Sequence, residues 1–255
     1  STHTYEFTDY TLLDMTDEMP KIIEHWNKLC LEFDAVYSGY LSSGRQIDII
    51  HDFMQSQKKN GALCVVDPVL GDNALTDVKT VYSDRMTELI DGMRRLCGIA
   101  DVITPNLTEA CLLLDRDYPR GTLSNAEIKD VLSALVHLGA KSAVITSIMD
   151  GEDSMCVAVY DGGEYYKIGC DYVKRPFHGT GDIFTSVLTG ALLGGNDTAK
   201  AANIAADFVA RAIELTARHP EMPVRHGALF EPVLQSGYFA PEKLGGIPER
   251  IEILK

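Results

Sequence analysis

The sequence predicts an α/β fold: a central, mostly parallel sheet with helices on both faces. Three observations predict it. Short apolar runs alternate with amphipathic segments from about residue 17 to residue 146, the rhythm of a parallel sheet whose crossovers are helices. Each apolar run ends on a turn residue or a polar motif, as strands do where they reach a ligand-binding edge. The length of 255 residues fits one large α/β domain, and residues 1–255 are read as a single domain.

The elements follow in order. Residues 17–32 carry Ile22, Ile23, Trp26 and Leu29 at helical spacing. Ala35–Ser38 is a short apolar run closed by Gly39, suited to a buried strand. Residues 46–58 read as a helix that Gly61 terminates. Leu63–Val66 is a strand running into Asp67-Pro68, and residues 83–96 form an amphipathic helix with Gly98 beyond it. Residues 101–104 form a strand that Pro105 breaks, and Leu107–Leu114 opens a helix. Ser124 with Glu127 makes a capping box for a helix reaching residue 138. Residues 142–146 are the next strand. The pattern then changes: residues 155–160 and 165–169 flank Asp161-Gly162-Gly163, a β-hairpin signal. Two helices follow, over Thr180–Leu193 and residues 198–218.

Composition narrows the function. The chain is 45% hydrophobic and 24% charged, ordinary for a globular protein. Its net charge of −14 repels nucleic acid and anionic membranes, so neither is expected as a partner. The six cysteines form no C-x-x-C pair, which argues against a zinc site or a disulfide framework. No signal peptide and no membrane-length apolar run is visible, so a cytoplasmic location is the default expectation. There is no G-x-x-x-x-G-K-[ST] loop and no H-R-D or D-F-G set, which excludes P-loop and protein-kinase patterns.

Four motifs fall at strand ends or helix starts. Asp67-Pro68-Val69-Leu70-Gly71-Asp72 places two carboxylates at the sheet mouth, where hard oxygens suit Mg²⁺; a polar surface turn is the alternative. In Thr104-Pro105-Asn106-Leu107-Thr108-Glu109, Glu109 either completes a capping box with Asn106 or points into the crevice. Thr146-Ser147 follows its strand and offers hydroxyls to a phosphate or cation, although such residues are common in loops. Phe177-His178-Gly179-Thr180-Gly181-Asp182 opens a small-residue helix. Its glycines allow close backbone approach, and its N–H groups suit an anion. Asp182 is either a base that takes a proton from a substrate hydroxyl or a carboxylate complementing the helix dipole. His178 reads as a bystander or hydrogen-bond partner.

Together with Ser1-Thr2-His3-Thr4 and Tyr37-Ser38-Gly39-Tyr40-Leu41 followed by Gln46, these motifs resemble the ribokinase-like superfamily, and within it the pyridoxal (vitamin B6) kinases. The resemblance runs from Ser1 to about residue 218. It implies ATP- and Mg²⁺-dependent phosphorylation of the 5′-hydroxyl of pyridoxal, pyridoxamine or pyridoxine by a homodimer, with a monovalent cation as a further candidate. By position, Asp182 would be the base, and Gly179, Thr180 and Gly181 would shape the anion hole. Asp72 and Glu109 would serve Mg²⁺. Asp67, Thr104, Asn106, Glu109, Thr146 and Ser147 would line the nucleotide-phosphate and cation region. Thr4, Tyr82 and Asp182 would meet the vitamer. The nearest alternative is a hydroxymethylpyrimidine kinase of thiamine synthesis, a group that often has cysteine at the Asp182 position. A catalytically weak, truncated binding homologue is the alternative from another class. The chain opens without methionine and without a strand before its first helix, so the first strand of the resembled fold is expected to be missing.

Overall fold

The computed structural model describes residues 11–70, 84–173, 175 and 177–254. Among them, seven strands form one sheet in the order β1-β2-β3-β4-β5-β6-β7. They are β1 (Ala35–Ser38), β2 (Leu63–Val66), β3 (Val102–Ile103), β4 (Ser142–Met149), β5 (Ser154–Asp161), β6 (Glu164–Asp171) and β7 (Ile251–Ile253). Strands β1 to β4 pair in parallel, and each later pair is antiparallel. Five of the seven therefore run in one direction, as the sequence predicts for a mostly parallel sheet.

Alternation along the strands feeds two cores. Cys64, Val66, Ile103 and Ile145 face one side, where they meet α2 (Gly44–Lys59), α3 (Asp84–Cys97), α4 (Leu107–Leu114) and α5 (Asn125–Val136). Their neighbours Val65, Val102 and Val144 face the other, against α6 (Thr180–Leu193) and α7 (Thr198–Ala217). Strands buried on both faces read as continuous apolar runs, which is why β2 and β4 are legible in the sequence. Helix α1 (Met19–Lys28) lies outside this sandwich and sets Trp26 against Phe53 of α2, ring centroids 5.7 Å apart.

Local signals account for most boundaries. Ser43 caps α2, and both capping boxes form, Asn106 with Glu109 and Ser124 with Glu127. The hairpin turn places Gly162 and Gly163 at φ 57° and 97°, the two positive values that a two-residue type I′ turn requires. One expectation is corrected. β4 does not stop before Thr146-Ser147; it runs on to Met149, and these residues sit within it at a register shift between Ile145 and Ile148. Ser147 adopts φ 61°, the local kink by which a bulge absorbs the extra residue. The C-terminal stretch adds α8 (Glu231–Gln235), α9 (Pro241–Leu244) and β7, which extends the sheet along β6.

Candidate active site

The C-terminal ends of the parallel strands form a continuous edge. The Asp67 N–H donates to the Ser38 carbonyl at 2.8 Å, and Thr104 N–H donates to the Val66 carbonyl at 3.0 Å. Thr146 N–H donates to the Pro105 carbonyl at 3.0 Å, and a bridge pairs Asn106 with Thr146. Four segments far apart in sequence thus deliver Gly39, Asp67, Thr104, Asn106 and Thr146 to one line.

Helix α6 ends against this line. Its N-cap, Gly179, has φ 81°, a left-handed conformation that glycine adopts without a Cβ penalty. The first intrahelical donor is Ile183, to the Gly179 carbonyl at 3.0 Å. The N–H groups of Thr180, Gly181 and Asp182 come before it and have no intrahelical acceptor. They lie at the positive end of the helix dipole, a position that suits an anion. Gly181 lies beside Asp67: a Cβ there would stand 4.0 Å from Asp67 Oδ2. Gly39 lies beside Asp182, where a Cβ would stand 3.8 Å from Asp182 Oδ1. Asp182 itself is exposed to the crevice and Asp67 is buried.

Glu109 sits at a second point on the edge and is buried. Its Oε2 accepts the Asn106 N–H at 2.8 Å, and its Oε1 accepts the Leu70 N–H at 3.3 Å. The capping-box reading of Glu109 is the one the structure shows, and the same carboxylate also grips the loop that leads from Asp67. The fields of Glu109 and Asp67 converge on the buried Cys97 thiol. Burial pushes that thiol well above its ordinary pKa, and both carboxylates add to the push.

Two residues to which the sequence assigned no role, Tyr37 and Thr185, stand beside these groups. The Tyr37 hydroxyl lies 3.5 Å from Asp182 Oδ1. Burial raises its pKa far above the usual phenol value, and the Asp67 and Asp182 charges raise it further. On α6, the Thr185 hydroxyl is 2.9 Å from the Thr104 hydroxyl. Both were findable. Period-two alternation places Tyr37 and Val36 on opposite faces of β1, and Thr185 falls three residues after Asp182, on the same side of α6.

Of the other predicted residues, Thr4, Asp72 and Tyr82 lie outside the described residues. His178 contributes its carbonyl, which accepts the Ala228 N–H at 3.3 Å. Among the described residues, no three His, Cys, Asp or Glu side chains cluster to hold a metal ion, and no helix is long and apolar enough to cross a membrane. The carboxylates at the edge are hard oxygen donors. They suit Mg²⁺, which binds through one or two carboxylates, waters and substrate phosphates rather than a closed protein cage.

The family model for phosphomethylpyrimidine kinase matches residues 16–228. The hydroxymethylpyrimidine/phosphomethylpyrimidine kinase of Aquifex aeolicus is 27% identical over 183 residues, 71% of this chain and 67% of its own length. The pyridoxine kinase of Bacillus subtilis is 29% identical over 204 residues, 77% of this chain and 70% of its own length. Across the curated relatives the matched stretch spans from 32% to 70% of their lengths. A Bacteroides thetaiotaomicron protein provisionally named a phosphomethylpyrimidine kinase, crystallised with pyridoxal, superposes with a TM-score of 0.85. It is 38% identical, and the match covers 99% of this chain and 85% of that one. The Staphylococcus aureus pyridoxal kinase in complex with AMP-PCP and pyridoxal superposes with a TM-score of 0.65 at 26% identity, covering 84% and 73%.

Proposed function

The chain belongs to the phosphomethylpyrimidine kinase family, and on that premise we propose that it transfers the γ-phosphoryl group of ATP to a hydroxymethyl group on a nitrogen heterocycle, a B6 vitamer being the acceptor. The observation that carries this reading is the placement of Asp182. Its carboxylate stands in the first turn of α6, beside three N–H groups without intrahelical acceptors and over the strand ends that carry Asp67 and Thr104. In phosphoryl transfer the protein's work is mostly positioning and charge stabilisation. Asp182 takes the proton of the acceptor hydroxyl as its oxygen attacks the γ-phosphorus, and the bond from that phosphorus to the bridging oxygen of ADP breaks. The N–H groups of Gly179, Thr180, Gly181 and Asp182 meet the charge on the moving phosphoryl oxygens.

The remaining roles follow the motifs. Asp67, Thr104, Asn106, Thr146 and Ser147 line the nucleotide phosphates and a candidate monovalent cation. Glu109, with Asp72, would hold Mg²⁺ through water, and the ion would neutralise phosphate charge. Thr4 and Tyr82 are assigned to the vitamer on sequence motif alone. A homodimer belongs to the same reading, and so does the treatment of residues 1–255 as one kinase domain.

Pyridoxal as acceptor is supported by its presence in the Bacteroides and Staphylococcus structures and by the pyridoxine kinase relative. A hydroxymethylpyrimidine acceptor is the second reading, favoured by the family description and the Aquifex relative. The test supplies MgATP with pyridoxal, pyridoxamine, hydroxymethylpyrimidine or ribose in parallel and follows ADP release. Turnover of a B6 vitamer is expected. Turnover of the pyrimidine alone moves the assignment to the second reading. Binding of vitamers with no turnover of any acceptor identifies a binding homologue and contradicts both.

A further inference from the structure

We propose that Tyr37 is a positioning residue: its phenol donates a hydrogen bond to Asp182 Oδ1 and fixes the carboxylate in the orientation that leaves Oδ2 for the acceptor hydroxyl. The inference rests on the role of Asp182 given above and adds to it the group that orients the base. The contact joins residues separated by 145 positions, with the oxygens 3.5 Å apart. This is long for a hydrogen bond of this kind, and such bonds in ligand-free sites tighten when substrate is bound.

Two observations give the contact a direction. An ionised carboxylate accepts only, so Tyr37 must be the donor. Burial and the neighbouring Asp67 and Asp182 charges hold the phenol protonated. The buried hydroxyls of Thr104 and Thr185 pair at 2.9 Å and hold α6, which carries Asp182, against the end of β3. Gly39 lies alongside both groups, where a Cβ would stand in ordinary contact, 3.5 Å from the Tyr37 hydroxyl and 3.8 Å from Asp182 Oδ1.

The test is Tyr37→Phe, which keeps the ring and removes the donor. We expect kcat to fall by about tenfold while KM for ATP and for the acceptor stays within about twofold, the pattern of an interaction used in the transition state. In the Asp182→Asn background the same substitution should cost no further kcat, because the two residues act as one unit. A crystal structure of Tyr37→Phe should show Asp182 in more than one rotamer. A kcat within about twofold of the parent, a full additional loss on top of Asp182→Asn, or a single unchanged Asp182 rotamer would each overturn the proposal. If the parent protein turns over no acceptor, the proposed function fails by itself, and the crystallographic comparison still decides the role of Tyr37.

Discussion

The hydroxyls of Thr104 and Thr185 lie 2.9 Å apart in the core, joining the end of β3 to the second turn of α6. This bond ties the helix that carries Asp182 to the sheet edge that carries Asp67. A buried hydroxyl that loses its partner costs about 1–3 kcal/mol, whereas removing both partners with groups of the same shape is close to neutral. Thr104→Val and Thr185→Val should therefore each lower stability by about that amount in urea denaturation, and the double variant should lose less than their sum. Additive losses would mean that the two hydroxyls do not stabilise one another.

Gly39 and Gly179 should respond differently to alanine. Gly39 lies outside the left-handed region, and an added Cβ would make ordinary contacts, so Gly39→Ala should leave both fold and turnover near the parent. Gly39→Leu should fill the space between Tyr37 and Asp182 and lower kcat by more than about tenfold, which is about 1.4 kcal/mol of barrier. Gly179→Ala forces a left-handed alanine at φ 81°, at a cost of roughly 1–2 kcal/mol. Thermal melts and steady-state kinetics on the three variants separate these outcomes.

Away from the site, Asp101 links the opposite ends of the central strands. Its carboxylate meets Lys58 at 3.1 Å, Lys141 at 2.8 Å and the Cys64 N–H at 2.9 Å. Burial by itself would raise its pKa, but Lys141, the Cys64 N–H and Lys58 outweigh burial and lower it. A depressed folded-state pKa adds stability above the unfolded value, near 3.9, and that stability is lost as pH falls through the folded value. The parent should lose stability more steeply than Asp101→Asn as pH drops below about 4, with kcat at neutral pH unchanged. Equal acid slopes in equilibrium denaturation would exclude this role for the cluster.

Much of this was legible in the sequence because the signals are local. The bounds of β1, β2, α4 and α6 match the apolar runs and glycine or proline stops that predict them. Asn106 with Glu109 and Ser124 with Glu127 cap their helices as the spacing indicates. What was not legible depends on distant partners. β4 continues through Thr146 and Ser147 because β5 pairs with it beyond the bulge, and nothing near Ser147 announces its positive φ. β7 is three residues long and exists through its pairing with β6. Tyr37 and Asp182 stand 145 positions apart, so their contact has no local signature. The strand-end motifs marked the edge of the candidate site, and the fold brought Tyr37 to Asp182.

The account turns on Asp182 as the group that takes the acceptor's proton. The most direct measurement is single-turnover phosphorylation of pyridoxal by Asp182→Asn, with binding of a non-hydrolysable ATP analogue measured on the same sample. The account predicts a rate lower by about 10²–10⁴, the range for loss of a general base, with analogue binding unchanged. A rate near that of the parent would contradict it and leave Asp182 as a carboxylate that merely complements the dipole of α6.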